Sequence, residues 1–135
     1  MIMVNGSVIS IMLVEDDEVD VMNLKRAFKK NNINNPLYLA ENGLDALEIL
    51  RKCGTDDMPM PKIILLDLNM PKMNGLEMVE EINGDQQLRG VPIIMLTTEG
   101  SGELIERARA AGAKGWLVKP FKPDQLIAAV SKLTA

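Results

Sequence analysis

Ile63-Ile64-Leu65-Leu66-Asp67-Leu68-Asn69-Met70-Pro71 decides the fold of this chain. Four consecutive apolar residues that stop at a carboxylate, with a proline soon after, carry no helical stripe. They suit a short strand buried on both faces, as in a parallel sheet covered by helices. Upstream, residues 9–14 are mostly apolar and stop at Glu15-Asp16-Asp17. Ligands in open parallel sheets gather at the carboxyl ends of the strands. Two such strands side by side therefore bring Asp67 and the upstream acids together at one sheet edge.

Outward from that stretch, strand-like and helix-like segments alternate five times, the pattern of βα units. The expected strands cover residues 9–14, 37–40, 63–67, 93–96 and 115–118. Apolar stripes at helical spacing mark the segments between and after them: Leu24 and Phe28, then Ala46 and Leu50, then Leu76 and Val79, then Leu104 and Ala108, and last Leu126 and Val130. Gly112 suits a helix C-cap, and Pro123 suits the first turn of the last helix. The expectation is an α/β fold of five units in one domain, residues 1–135 with a core of about 9–133.

Composition narrows the function. The chain has no histidine, which removes a Ser-His-Asp triad, imidazole acid–base chemistry and histidine metal ligands together. A net charge of −4 argues against nucleic acid or an anionic membrane as the main partner. Aromatics make up only 3%, too few to build stacking platforms for bases. The single cysteine, Cys53, permits no internal disulfide and fits a reducing compartment. The N-terminal stretch lacks the basic region of a signal peptide, Asn5-Gly6-Ser7 interrupts its apolar character, and no run approaches the roughly 18–20 apolar residues of a membrane span. A cytoplasmic protein is expected. The ten methionines are read as core fillers.

Four strand ends carry polar groups: Glu15-Asp16, Asp67, Thr97 and Lys119. Clustered carboxylates repel, so they need a counter-charge or raised pKa values. Oxygen ligands with no histidine or cysteine nearby favour Mg²⁺, with Mn²⁺ a close substitute. A divalent ion, a lysine and a threonine hydroxyl around one carboxylate make a phosphoryl-transfer site, with Asp67 as an in-line nucleophile. Each residue also has a plainer reading. Asp67 alone would suit a helix cap, and Glu15-Asp16 would suit a solvated acidic run, since Asp17, Glu18 and Asp20 continue it. Asp17 is expected to cap the first helix and not to bind metal. Thr97 could be a plain strand-end hydroxyl with Thr98 as its alternative, and Thr97 is the preferred site residue.

The order of an acid pair, LLDLNMPKMNG, MLTT and WLVKPF resembles the receiver domain of two-component response regulators, the CheY-like family. The resemblance covers about residues 9–133. It implies a flavodoxin-like (βα)5 fold, a five-stranded parallel sheet of order 2-1-3-4-5 with helices on both faces. It further implies that Asp67 is the phosphoacceptor and that Asp16, Asp67, Glu15 and the Asn69 backbone carbonyl hold Mg²⁺. Thr97 is then the switch hydroxyl, Lys119 the phosphate-binding lysine, and the Lys119-Pro120 peptide cis. Trp116 stands where the family usually has Tyr or Phe and takes the place of its switch aromatic. Asn69 and Glu99 line the access route and tune the lifetime of the phosphorylated state.

The partners so implied are a histidine kinase or phosphotransfer protein as phosphodonor and a downstream protein. The downstream protein is expected on the face made by the fourth helix, fifth strand and fifth helix, covering Gly102–Ala111, Trp116 and residues 121–133, with a homodimer through the same face as a further option. A stand-alone receiver of this kind is expected to turn over no separate substrate, assisting only its own phosphorylation and dephosphorylation. Two other classes compete. A phosphatase of the haloacid dehalogenase type needs a second aspartate two residues after the nucleophile, where this chain has Asn69. A scaffold that works without phosphorylation would not need the full polar set.

Overall fold

The fold, taken from a computed structural model, is described for residues 3–4, 6–55, 57–68, 75–98, 102–119 and 122–134. Its strands are β1 (Met3–Val4), β2 (Ser7–Val8), β3 (Ile11–Val14), β4 (Leu37–Ala40), β5 (Ile63–Asp67), β6 (Ile93–Thr97) and β7 (Gly115–Val118). Its helices are α1 (Glu18–Lys30), α2 (Gly43–Lys52), α3 (Gly75–Asn83), α4 (Gly102–Ala111) and α5 (Pro123–Thr134). β3 to β7 form one parallel sheet in the order β4-β3-β5-β6-β7. For the five expected strands that is the order 2-1-3-4-5, the flavodoxin-like arrangement.

Strand alternation divides the core into two layers. Met12, Val14, Ile64, Leu66 and Met95 face one side and pack with Ala46, Leu50, Val79 and Ala108 of α2, α3 and α4. Ile11, Leu13, Ile63, Leu65 and Leu96 face the other and pack with Leu24, Phe28, Leu126 and Val130 of α1 and α5. Ile63 to Leu66 are wholly buried. Each such side chain contributes about 1.5–3 kcal/mol by burial, which is why the central strand reads as an unbroken apolar run.

Helix ends follow the chemistry of their caps. Asp17 N-caps α1, its Oδ1 accepting from the backbone N–H of Val19 at 2.8 Å and of Asp20 at 3.2 Å. Gly112 takes φ 120° after α4, where a side chain would be strained. Pro123 opens α5 as expected.

Three expectations need correction. The first strand is Ile11–Val14, shorter than residues 9–14. Ile9 and Ser10 are buried, but the Ile9 carbonyl accepts from the Asn35 side chain at 2.7 Å, outside the strand ladder. β6 extends to Thr97, one residue past the expected end. The N-terminal residues, where no strand is expected, hold an antiparallel hairpin pairing Met3 with Val8 and Val4 with Ser7. Among the described residues no helix is long and apolar enough to cross a membrane.

Candidate functional site

Sheet register assembles the site. Val14 pairs with Leu66, so Glu15 and Asp67 leave neighbouring strands side by side. Asp67 pairs with Leu96, and Thr97 pairs with Val118, so Thr97 and Lys119 follow on the next two strands. This is the switch point of the sheet: the chain crosses from β3 to β4 in one direction and from β5 through β7 in the other.

Carboxylate oxygens of Glu15, Asp16 and Asp67 all lie within 4.8 Å of one another. Glu15 and Asp67 are buried, 4% and 6% exposed, while Asp16 faces solvent. Like charges at such separations repel by roughly 3–4 kcal/mol per pair at an effective dielectric of about 20, and by less where water screens Asp16. One ammonium group answers them. Lys119 Nζ donates to Glu15 Oε2 at 3.0 Å and to Asp20 Oδ2 at 3.2 Å, and stands 3.7 Å from Asp67 Oδ2.

The site's own charges displace its pKa values. Burial pushes the Glu15 carboxyl up to about 7, and the neighbouring Asp67 carboxylate pushes the same way. The Lys119 hydrogen bond pulls it down without reversing the result. Burial works against the Lys119 charge, yet its hydrogen bond to Glu15, the fields of Asp67 and Glu15 and its hydrogen bond to Asp20 outweigh it, so this lysine sits above its ordinary value. A cluster with three acids and one pinned lysine has the donor set of a divalent oxygen-ligand site. Such an ion would relieve the repulsion among these carboxylates.

Thr97 is buried at 3% exposure and Thr98 is exposed, so only Thr97 belongs to the site's inner surface. Trp116 is half-buried against the layer containing α4. The Arg109 guanidinium of α4 lies 5.0 Å from the centre of its ring, a cation–π contact not anticipated from the sequence. Asp20 reads in the sequence as one of a run of solvated acids, yet its carboxylate accepts from Lys119. Cys53 caps the end of α2 with its thiol pushed up by burial, consistent with an unreactive group. Asn69, Glu99 and Pro120, with the expected cis peptide, lie outside the described residues, as does Phe121 of the expected docking face.

A model of the response regulator receiver domain matches residues 11–131. The chain belongs to that family. As a receiver it is similar to the chemotaxis protein CheY homolog of Campylobacter jejuni, 36% identical over 112 residues that span 80% of this chain and 82% of the relative. Solved structures place it beside other receivers of the same fold. The phosphorylated cyanobacterial phytochrome response regulator RcpA is 28% identical with a TM-score of 0.77, covering 93% of this chain and 90% of its own. The Mn²⁺-bound form of response regulator Rcp1 is 29% identical with a TM-score of 0.75, covering 93% and 91%. A receiver related to a metal-bound one, with three acids in one cluster, fits a divalent cation.

Proposed function

We propose that this receiver accepts a phosphoryl group on Asp67 and thereby changes its affinity for a downstream protein. The observation that carries this reading is the convergence of Asp67, Glu15 and Asp16 within 4.8 Å, with Lys119 Nζ 3.7 Å from Asp67. The donor is a phosphohistidine of a partner kinase or phosphotransfer protein, since this chain has no histidine of its own. An Asp67 oxygen attacks phosphorus in line, the P–N bond to the donor breaks, and the departing imidazole nitrogen keeps the electron pair and takes up a proton. Water later attacks the aspartyl phosphate, releasing phosphate and restoring Asp67. The receiver thus assists its own phosphorylation and dephosphorylation and turns over no separate substrate.

Lys119 neutralises phosphoryl oxygens, and the Thr97 hydroxyl donates to one of them. Asp16, Asp67 and Glu15, with the Asn69 carbonyl, would hold Mg²⁺, or Mn²⁺ in its place; bound there, it neutralises charge on the transferred group. Output runs through α4, β7 and α5, where Trp116 under Arg109 joins two of these elements. Asn69 and Glu99 set the lifetime of the phosphorylated form.

Incubation with acetyl phosphate and Mg²⁺ is expected to raise the intact mass by one phosphoryl group, and EDTA to prevent it. A mass that stays unchanged with Mg²⁺ present would reject the reading.

The metal has its own test, and the raised Glu15 pKa fixes its pH dependence. Glu15 titrates near its ordinary 4.5 in the unfolded chain and near 7 in the folded one. Between those values the folded state holds more protons, so this group's contribution to stability is present at low pH and is lost as pH rises through 7. A cation needs Glu15 ionised, so it binds weakly at pH 5.5 and fully by about pH 8. At ten times its Kd, Mg²⁺ should add about 1.4 kcal/mol at pH 8, or roughly 5 °C in melting temperature. Asp16→Ala should remove most of that gain. An equal Mg²⁺ effect in the variant, or one that does not grow with pH, would place the ion elsewhere.

A further inference from the structure

We propose that Asp20 is a positioning residue for Lys119, one that aims its ammonium group at Asp67. The inference rests on the phosphoacceptor reading of Asp67. An ammonium group has three N–H donors. One goes to Glu15 Oε2 at 3.0 Å and one to Asp20 Oδ2 at 3.2 Å, which leaves the third for Asp67, whose Oδ2 stands at 3.7 Å. That last distance is too long for a hydrogen bond but leaves room for an oxygen of an incoming phosphoryl group to move in. Glu15 alone would leave the lysine free to rotate about a single anchor. Two separate anchors, Glu15 just past the end of β3 and Asp20 on α1, fix the direction of the third N–H.

The fold delivers Asp20 to this job. Lys119 continues the alternation of Leu117, so it leaves β7 toward the face covered by α1 and α5. Asp20 sits in the first turn of α1 on that same side, and its backbone N–H is held by the Asp17 cap at 3.2 Å. The capped turn carries the carboxylate to a lysine 99 residues away in sequence. Most of the Lys119 side chain is buried, at 19% exposure, so its head cannot simply swing into solvent; Asp20, at 40%, borders water and can be substituted without emptying the core. The pair gains from the low exposure of the lysine and loses from screening at the aspartate, so the effect is moderate.

The test is a series of acetyl phosphate labelling rates at saturating Mg²⁺, measured on wild type, Asp20→Ala, Asp20→Asn, Lys119→Ala and the double variant Asp20→Ala/Lys119→Ala. Asp20→Ala should lower the maximal rate about five- to tenfold while leaving the half-saturating acetyl phosphate concentration nearly unchanged. Asp20→Asn keeps an acceptor oxygen at the same reach and should restore most of the loss. In the Lys119→Ala background, Asp20→Ala should change the rate no further, because its action passes through the lysine. A rate in Asp20→Ala equal to or faster than wild type overturns the inference. So does the same fold loss with and without Lys119, or an Asn variant as slow as the Ala variant. Wild type that takes up no phosphoryl group overturns the phosphoacceptor reading and this inference with it; labelled wild type beside an unaffected Asp20→Ala overturns the inference alone.

Discussion

Asp67→Asn is expected to take up no phosphoryl group from acetyl phosphate and Mg²⁺ under conditions that label the wild type fully, a loss of at least about 100-fold in rate. The carboxamide keeps the size and shape of the side chain, so the fold has no reason to fail. What it loses is the anionic oxygen that attacks phosphorus; an amide oxygen is a far poorer nucleophile. The same change relieves the acid cluster. Glu15 loses a neighbour that pushes its carboxyl up, and Lys119 keeps its hydrogen bonds to Glu15 and Asp20. The variant should therefore melt higher than wild type without Mg²⁺, by about 1–2 kcal/mol, and gain less from the ion. Intact mass and thermal melting check both halves. Labelling of the variant at the wild-type rate would mean that another side chain accepts the group. A lower melting temperature without Mg²⁺ would mean that Asp67 is held by more attraction than repulsion.

The opposing effects of one substitution on activity and stability follow from how the site is encoded. Apolar strand runs that stop at acids are legible in sequence because each strand must be buried on both faces and must then present its polar end. That logic gave the strand bounds of β4, β5 and β7, the sheet edge, and the company of Glu15, Asp16, Asp67, Thr97 and Lys119. It favoured Thr97 over Thr98 without the deciding observation, which is the burial of one and the exposure of the other. Asp20 was lost among its neighbours. Asp17, Glu18 and Asp20 look alike as a charge run, yet Asp17 caps a helix while Asp20 reaches a lysine across the sheet edge. Such a long-range pair has no periodicity to announce it. Arg109 over Trp116 was hidden for the same reason. The hairpin was a different kind of miss. Asn5-Gly6 between short apolar stretches is a strong two-residue hairpin signal, and Gly6 does take φ 78°, but the dipeptide was read only as an interruption.

Gly75→Ala should be the most damaging single-methyl change near the site, and it tests how tightly the backbone behind Asp67 is packed. Gly75 opens α3, its N–H donating to the Leu68 carbonyl at 2.9 Å and so closing the connection between β5 and α3. A Cβ at this position would stand 2.7 Å from Leu68 Cα, 2.9 Å from Met95 Cε and 3.0 Å from the Asp67 carbonyl oxygen. Met95 can bend away, since a thioether is flexible. The two backbone atoms cannot, because Leu68 N–H is itself bonded to Leu96 at 2.9 Å and Asp67 lies in the central strand. Relief requires α3 to move off the sheet or the end of β5 to shift, and overpacking of this kind costs about 2–3 kcal/mol. For a domain of this size that is a fall of roughly 8–12 °C in melting temperature. Displacement of the β5 end also moves Asp67 relative to Lys119, so labelling should slow even where the variant is folded. Gly90→Ala supplies the contrast: an added Cβ there meets no heavy atom within 4 Å, and the backbone is outside the left-handed region. It should be neutral or stabilising by up to about 1 kcal/mol, through the unfolded chain's lost freedom. Equal melting temperatures for the two variants would show that the contact between α3 and the end of β5 yields easily, and that Asp67 is positioned by its strand alone.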